Sequence, residues 1–237
     1  MTSRTIFRGA VQVTNPTAEP KILPAGIIED TSVDMSNFPG LGPLNVSNVA
    51  TIAFDDQKPG TSGLRKKTKR FQQGLYLHNF VQATFNALVA SGVDVSDGAL
   101  LIGGDGRYYN DTAVQVITKI AAANGVRRIV IGEGGLMSTP AISAVIRERG
   151  PQWQKCFGSF ILTASHNPGG PEEDFGIKYN CDNGGPAPES LTDAIYEITK
   201  TITTIKICVE FPLVDTCTRG CLVVASNCGT REVAVEV

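Results

Sequence analysis

Short apolar runs typical of buried strands alternate with longer segments of helical periodicity between about residues 46 and 207. Candidate strands lie at Asn48–Phe54, Ala99–Ile102, Arg128–Ile131, Ser159–Thr163 and Phe175–Asn180. Several of the segments between them repeat apolar residues every three or four positions, as one face of a helix does. Strands that alternate with helices favour parallel β-α units with helices on both faces of the sheet. The sequence therefore predicts the α/β class.

The ends of the helical segments carry residues that commonly begin or end helices. We expect Gly92 to end the helix that begins near residue 77. Asp111 is the expected N-cap of the next helix, and Gly125 its expected end. Thr139 is the expected cap of a helix with Pro140 at its first position, because proline suits the first turn of a helix.

The charge of the chain is nearly balanced, with 21 Lys and Arg against 23 Asp and Glu and a net charge of −2 over 237 residues. No overall positive field draws such a chain to nucleic acid, so we expect no nucleic-acid partner. No apolar run approaches the roughly 18 residues of a membrane helix, so we expect no transmembrane segment. The cytoplasm is the expected location. The first acidic residue is Glu19, after Arg4 and Arg8, which leaves a transit peptide as an alternative.

Two flanking segments lack the strand–helix alternation. Residues 1–45 hold five of the 13 prolines and no long periodic stretch, so we expect an atypical, partly disordered extension there. Residues 208–237 hold four of the six cysteines but no Cys-x-x-Cys pair and no histidine, which argues against a zinc site. We therefore expect one main domain over residues 46–207 and a divergent, cysteine-containing tail over residues 208–237.

The loop at residues 58–65, KPGTSGLR, has the composition of an anion site. Its two glycines let backbone amides approach an anion, Thr61 and Ser62 offer hydroxyls, and Arg65 and the leading lysine supply positive charge. A surface turn with incidental charges is the alternative. Arg65 also begins the basic run of residues 65–70, for which nuclear import or polyanion binding is an alternative to a solvated face.

A second loop, Gly103–Arg107, permits a tight turn after a strand. It is not a dinucleotide-binding fingerprint, because Tyr109 stands where the third glycine of G-x-G-x-x-G belongs. Its single carboxylate, Asp105, is too little to hold a divalent cation well. We expect Asp105 to pair with Arg107 or with a neighbouring loop, and we favour a structural role for both residues over a functional one.

A third loop, Thr163–Gly170, places a serine beside a histidine. Its Asn-Pro-Gly-Gly turn is expected to hold the Ser165 hydroxyl at the end of a strand. Adjacent side chains usually point apart, and no G-x-S-x-G surrounds this serine, so we do not expect a hydrolase nucleophile. Lys178 on the following strand can return to the same place. A serine near His166, Lys178 and Arg65 suits phosphorylation, since a phosphoserine carries about −1.5 to −2 charges and needs cationic neighbours.

Five segments together carry a family resemblance. They are KPGTSGLR at 58–65, GGDGRY at 103–108, TASHNPGGP at 163–171, DFGIKY at 174–179 and NGGPAP at 183–188. In this order and spacing they closely resemble phosphoglucomutases, the eukaryotic, parafusin-like branch of the α-D-phosphohexomutase family. The resemblance covers roughly residues 46–215 and implies the first domain of that family, with a mixed, largely parallel sheet.

The resemblance implies an enzyme that interconverts glucose 1-phosphate and glucose 6-phosphate through a phosphoserine. Glucose 1,6-bisphosphate is then the intermediate, Mg²⁺ the metal cofactor and hexose phosphates the partners. We place the hydroxyls of Thr61 and Ser62, with Arg65 and Ser165, among the residues that bind substrate or phosphate.

Four residues match the catalytic residues of the family. Ser165 matches the serine that carries the phosphoryl group and binds magnesium through it. His166 and Lys178 match residues that contact the phosphoserine and the reacting hydroxyl and assist as acid and base. Arg65 matches an arginine that helps to neutralise the phosphate in transfer, and positioned charge is the main catalytic device of phosphoryl transfer.

The sequence also departs from the family. The Asp-x-Asp-x-Asp-Arg magnesium segment of the second domain and the sugar-reading Gly-Glu-Glu segment of the third have no counterpart in the 237 residues. We therefore expect little or no mutase turnover from this chain alone. Two other hypotheses stay open: a phosphate-accepting scaffold of the parafusin type in membrane fusion or signalling, and a non-functional fragment with an incomplete fold. Exposed domain-interface surface would encourage self-association.

Overall fold

The computed structural model describes residues 6–7, 10–11, 45–60, 62–148, 155–226 and 231–237. Its strands are β1 Ile6–Phe7, β2 Ala10–Val11, β3 Ser47–Ala50, β4 Leu64–Lys67, β5 Ala99–Gly104, β6 Arg128–Leu136, β7 Cys156–Leu162, β8 Asp174–Cys181, β9 Thr204–Ile207, β10 Cys221–Ser226 and β11 Arg231–Glu236. Its helices are α1 Thr68–Phe71, α2 Tyr76–Ala90, α3 Asn110–Ala123, α4 Thr139–Arg147 and α5 Glu189–Thr199.

Seven strands form the main sheet, in the order β10-β11-β6-β5-β7-β8-β4. The strands β11, β6, β5 and β7 run parallel to one another. The outer strands β10, β8 and β4 are antiparallel to their neighbours. This architecture confirms the predicted α/β class and the mixed sheet, with antiparallel pairing confined to the two sides.

Helices cover both faces of the sheet, as predicted. Every residue of β5 is buried, and successive side chains of this strand enter different cores. Leu100 packs in the larger core, which holds the buried residues of α2 and α3, while α5 packs on α2. Leu101 packs on the opposite face against Ile142 and Ile146 of α4. Successive side chains of a strand point to opposite faces of the sheet, so this wholly buried strand packs against helices on both faces.

The helix caps differ from those that the sequence predicts, although the helices themselves are confirmed. Ser138, not Thr139, caps α4, and its side chain accepts a hydrogen bond of 3.3 Å from the Ala141 N–H. Tyr109, not Asp111, is the N-cap of α3 and has a left-handed φ of 80°. Asp111 instead lies in the first turn of α3, where a negative charge interacts favourably with the helix dipole.

The first predicted strand is shorter than expected and lies outside the main sheet. In place of Asn48–Phe54, the strand β3 spans Ser47–Ala50 and pairs antiparallel with β9. The main sheet instead gains β4, which the sequence pattern did not indicate because three of its four residues are basic. Edge strands commonly carry such charges, since one side of the strand faces solvent.

The segment over residues 208–237, in which the sequence shows no long periodic pattern, contains two strands of the main sheet. Strand β11 pairs parallel with β6, and β10 pairs antiparallel with β11. In the N-terminal extension, β1 and β2 pair antiparallel; its other residues before position 45 lie outside the described residues. None of the described helices is long and apolar enough to cross a membrane.

Candidate active site

Two of the three candidate loops meet at one edge of the main sheet. Gly104, at the end of β5, pairs with Leu162 at the end of β7 and with Leu136 at the end of β6. The loops that follow Gly104 and Leu162 are therefore neighbours, as expected for parallel strands. The loop at residues 58–63 approaches the same edge from β4: Leu64 at the start of β4 pairs with Ile177 of β8, which pairs in turn with Leu162 at the end of β7.

Ser165 has an unusual backbone conformation. Its φ is +57°, in the left-handed region that non-glycine residues rarely adopt. Its N–H donates a hydrogen bond of 2.9 Å to the hydroxyl of Thr163, which in turn donates one of 2.8 Å to Asp105. The side chain of Ser165 is exposed. The sharp turn thus presents the hydroxyl at the surface, where a ligand can reach it.

His166 lies closer to Ser165 than sequence adjacency predicted. The Oγ of Ser165 is 3.5 Å from Nδ1 of His166, and both side chains are exposed. The expectation that the two side chains point apart is wrong, because the left-handed turn at Ser165 reorients its hydroxyl. An imidazole at this distance can exchange a proton with the hydroxyl after a small approach.

Arg107 connects both loops. Its Nε donates to the two carboxylate oxygens of Asp105 at 3.0 and 3.1 Å. Its terminal nitrogens donate at 2.8 to 3.3 Å to four backbone carbonyls, those of Ser165, Asn167, Pro168 and Asp174. The predicted pairing of Asp105 with Arg107 is confirmed. The contacts to the serine loop were not predicted, since backbone carbonyls leave no mark in a sequence.

Two cations without an acidic partner among the described residues lie on the neighbouring strands. Arg65 of β4 pairs with Gly176 of β8, and Lys178 lies two residues further along β8, on the same face of the sheet. The guanidinium Nε of Arg65 is buried and finds no hydrogen-bond partner among the described residues. Burial, together with the positive charge of Arg65, lowers the pKa of Lys178. Two such cations side by side favour an anion between or above them.

The glycines of the first loop bring it against Lys178. Gly63 has a φ of +90°, and a Cβ added there would lie 2.5 Å from Cβ of Lys178. Gly60 and Gly63 exchange two backbone hydrogen bonds of 2.9 and 3.0 Å, which close the turn. Ser62 is exposed on this turn, and Thr61 lies outside the described residues. The turn therefore places a candidate hydroxyl beside the cationic strands.

The carboxylates near Ser165 are engaged by other groups. Asp105 bonds to Arg107, and Asp174 accepts from Lys67 at 2.9 Å and from Asn167 at 2.8 Å. The Lys67 contact lowers the pKa of Asp174. Within the part of the chain that the structure describes, no three His, Cys, Asp or Glu side chains are grouped to hold a metal ion.

A family model described as "Phosphoglucomutase/phosphomannomutase, alpha/beta/alpha domain I" matches residues 56–206, well over half of the chain. The chain belongs to the phosphoglucomutase/phosphomannomutase family. The match confirms the resemblance drawn from the five motifs, and it spans the strands and loops that surround Ser165.

Relatives in this family are similar to the chain over a long segment. A probable cytoplasmic phosphoglucomutase of Arabidopsis thaliana is 62% identical over 178 residues, which is 75% of this chain and 30% of that protein. The cytoplasmic phosphoglucomutase of Pisum sativum is 63% identical over 178 residues, with the same two coverages. The chain thus spans about a third of the length of these relatives.

A solved structure in the same family has a similar fold. It is the exocytosis-sensitive phosphoprotein pp63/parafusin, a phosphoglucomutase from Paramecium, in its open form. It is 40% identical to this chain and superposes with a TM-score of 0.77. The match covers 83% of this chain and 35% of that one. The phosphohexomutase first-domain architecture therefore holds over most of the chain.

Proposed function

We propose that Ser165 accepts and returns a phosphoryl group in a phosphoglucomutase-type reaction. The observation that carries the proposal is the exposed hydroxyl of Ser165, held at φ +57° within 3.5 Å of an imidazole. Arg65 and Lys178 on the adjoining strands, which have no acidic partner among the described residues, support it, since a transferring phosphate needs positive charge around it. Membership of the phosphoglucomutase/phosphomannomutase family supports a hexose phosphate as the substrate class.

The proposed half-reaction exchanges one P–O bond for another. Oγ of Ser165 attacks a phosphorus of glucose 1,6-bisphosphate, the new P–Oγ bond forms, and the bond from phosphorus to the sugar oxygen breaks. The hydroxyl proton passes to Nδ1 of His166, and the sugar oxygen takes up a proton as glucose monophosphate leaves. The reverse reaction, with the other hydroxyl of the sugar, completes the interconversion of glucose 1-phosphate and glucose 6-phosphate.

Arg65 and Lys178 have different parts in this proposal. Arg65 is a permanent cation that offsets the charge of the transferring phosphate. Lys178 has a pKa below that of an ordinary lysine, so it can also give a proton to the departing sugar oxygen. Ser62, on the turn beside Lys178, would donate a hydroxyl hydrogen bond to a substrate phosphate, and Thr61 stays a candidate for the same role from the sequence.

Magnesium is the metal that the family implies. A phosphate on Ser165 would supply oxygen ligands of the type that Mg²⁺ prefers. The carboxylates of Asp105 and Asp174 already bond to Arg107, Lys67 and Asn167. We therefore assign no catalytic step to the metal, and we expect little or no mutase turnover from these 237 residues alone.

The relatives also suggest a location and a second function. Those from Arabidopsis thaliana and Pisum sativum are named as cytoplasmic, and we propose the same location for this chain. The Paramecium protein is named as an exocytosis-sensitive phosphoprotein. Its likeness to this chain favours, as the second candidate, a scaffold that carries phosphate on Ser165 without turnover.

The test is phosphorylation of the purified chain by glucose 1,6-bisphosphate with Mg²⁺. Intact-protein mass spectrometry should show the gain of one phosphoryl group, with release of an equal amount of glucose monophosphate. Ser165→Ala, purified identically, should show neither. Ser190→Ala is the matched control, because Ser190 is an exposed serine on α5, and it should behave as the unmodified chain does.

Either function can be contradicted by this experiment. If the chain remains unphosphorylated after incubation with glucose 1,6-bisphosphate and Mg²⁺, both proposed functions are contradicted. A phosphoryl group that enters and then fails to return to glucose 6-phosphate contradicts the mutase-type reaction and supports the scaffold.

A further inference from the structure

Both peptide groups of Ser165 are linked to the ion pair of Asp105 and Arg107. The N–H of Ser165 donates to Thr163, whose hydroxyl donates to Asp105. The carbonyl of Ser165 accepts a hydrogen bond of 2.8 Å from Nη2 of Arg107. Asp105 and Arg107 bond to each other at 3.0 Å, so the two routes form a closed ring around the serine backbone.

All the N–H donors of Arg107 are used within the protein. An arginine carries five N–H groups, and here Nε is directed to Asp105 while each terminal nitrogen donates to two carbonyls. Its side chain is only 7% exposed. A buried guanidinium that used its donors on substrate would lack these bonds, so the contacts of Arg107 serve the loop.

The left-handed conformation of Ser165 needs such support. A non-glycine residue in this region is sterically strained, and it persists only where its surroundings hold it. The four carbonyls that Arg107 binds lie before, within and after the Asn-Pro-Gly-Gly turn, and they include Asp174 at the start of β8. One side chain therefore fixes the whole loop relative to the strands that carry Arg65 and Lys178.

We propose that Arg107 is a positioning residue for phosphoryl transfer: it holds the backbone of Ser165 so that Oγ faces the phosphoryl donor. This role rests on the proposed function of Ser165. The planar fork of arginine is essential to it, because the three donors of a lysine cannot reach four carbonyls and a carboxylate. A displacement of about 1 Å at a reacting atom can reduce a rate about 10²-fold.

The test compares Arg107→Lys with Arg128→Lys in the 237-residue chain. Arg128 is a matched control, because it forms an ion pair of 2.7 Å with Glu236 at the amino end of β6, away from the serine loop. We expect Arg107→Lys to slow phosphorylation of Ser165 by glucose 1,6-bisphosphate about 10²-fold, with little change in the concentration of bisphosphate at half-maximal rate. Hydrogen exchange should become faster in residues 163–174 but not in β5.

A second variant covers the possibility that Arg107→Lys does not fold. Thr163→Val removes the hydroxyl that joins Asp105 to the Ser165 N–H and leaves Arg107 in place, and it should also slow phosphorylation. Methylguanidinium should restore part of the rate to Arg107→Ala, which a merely structural lesion would not allow.

The outcomes separate this proposal from the proposed function. If the unmodified chain is phosphorylated and Arg107→Lys is phosphorylated at the same rate, the positioning role is overturned while the function stands. If the unmodified chain accepts no phosphoryl group, the function itself fails and the positioning role fails with it. A rate loss in Arg107→Lys and Thr163→Val, with Arg128→Lys unaffected, supports the proposal.

Discussion

Arg65 lies directly opposite Gly176, and its side chain passes over the position where a Cβ at residue 176 would be. That Cβ would lie 3.2 Å from Cγ of Arg65 and 2.2 Å from the carbonyl oxygen of Thr163. The absence of a side chain at Gly176 therefore lets the cationic strand and the serine loop approach each other.

Gly176→Ala should displace both neighbours and weaken the protein. The backbone carbonyl of Thr163 cannot move as a flexible side chain can, so we expect a loss of about 1–3 kcal/mol in the free energy of unfolding, as for other overpacked sites. Phosphorylation of Ser165 should slow as well. Urea titration measures the first effect, and the bisphosphate reaction measures the second.

Gly60→Ala is the control for this substitution. A Cβ at residue 60 would meet nothing within 4 Å, so the free energy of unfolding should change by less than about 0.5 kcal/mol. Equal stability of the two alanine variants would show that Gly176 has room for a side chain and would contradict the close approach.

Ser165→Gly should be more stable than Ser165→Ala. Both variants lack the hydroxyl, but only glycine adopts a φ near +57° without steric strain. We expect a difference of about 1 kcal/mol in the free energy of unfolding, measured by urea titration of the two proteins side by side. If the alanine variant is as stable as the glycine variant, Ser165 does not have the left-handed conformation in solution.

Lys178→Met should reduce phosphoryl transfer without destabilising the fold. The half-buried ammonium lies near Arg65 and has no acidic partner among the described residues, so its removal relieves repulsion and desolvation. We expect the rate of Ser165 phosphorylation to fall about 10²–10³-fold, as for loss of one electrostatic partner of a transition state. Lys200→Met, which removes an exposed lysine paired with Glu197 on α5, is the control.

The same substitution should change the pH dependence of stability at alkaline pH. Because the folded-state pKa of Lys178 is lowered, the unfolded chain binds this proton more tightly. The free energy of unfolding therefore gains a contribution that increases as the pH rises from the folded-state pKa towards the ordinary lysine value of 10.5. Denaturant titrations across that range should show this slope in the unmodified chain and not in Lys178→Met. An identical slope in both would contradict the lowered pKa.

His78 should make the protein less stable in mild acid. Burial, followed by the charge of Lys119, lowers the pKa of His78 below its ordinary value of 6.5, and its buried Nδ1 finds no hydrogen-bond partner in the part of the chain that the structure describes. The unfolded chain then takes up this proton first, so stability falls as the pH drops below about 6.5.

The control for His78 is the other histidine, since the chain has only two. His78→Gln should remove the loss of stability that accompanies a fall in pH below about 6.5. His166→Gln, which changes an exposed imidazole, should retain it. A slope that persists in His78→Gln would show that other groups are responsible.

The sequence was sufficient to predict the elements that are buried. Strand β5 and helices α2 and α3 have apolar residues at the spacing of their structure, so their patterns are visible. Strand β4 escaped prediction because its residues are mainly basic and it lies at the edge of the sheet. The cap of α3 escaped because Tyr109 adopts a conformation that usually signals glycine.

The candidate site could be predicted only as far as side-chain chemistry identifies it. The motifs indicated Ser165, His166, Lys178 and Arg65, and their assignment as site residues stays a prediction. The short distance from Ser165 to His166 depends on one backbone angle that no residue type encodes. The contacts of Arg107 depend on carbonyls, which every residue carries, so only the fold reveals them.

The most direct measurement of the central claim is the return of the phosphoryl group from Ser165 to a hexose phosphate. The chain is first phosphorylated by glucose 1,6-bisphosphate, freed of small molecules and then mixed with glucose 6-phosphate and Mg²⁺. Peptide mass spectrometry should locate the phosphoryl group on Ser165 before mixing and show its loss afterwards, with glucose 1,6-bisphosphate formed in equal amount. A phosphoryl group that lies on another residue, or that stays on Ser165 in the presence of glucose 6-phosphate, would contradict the account.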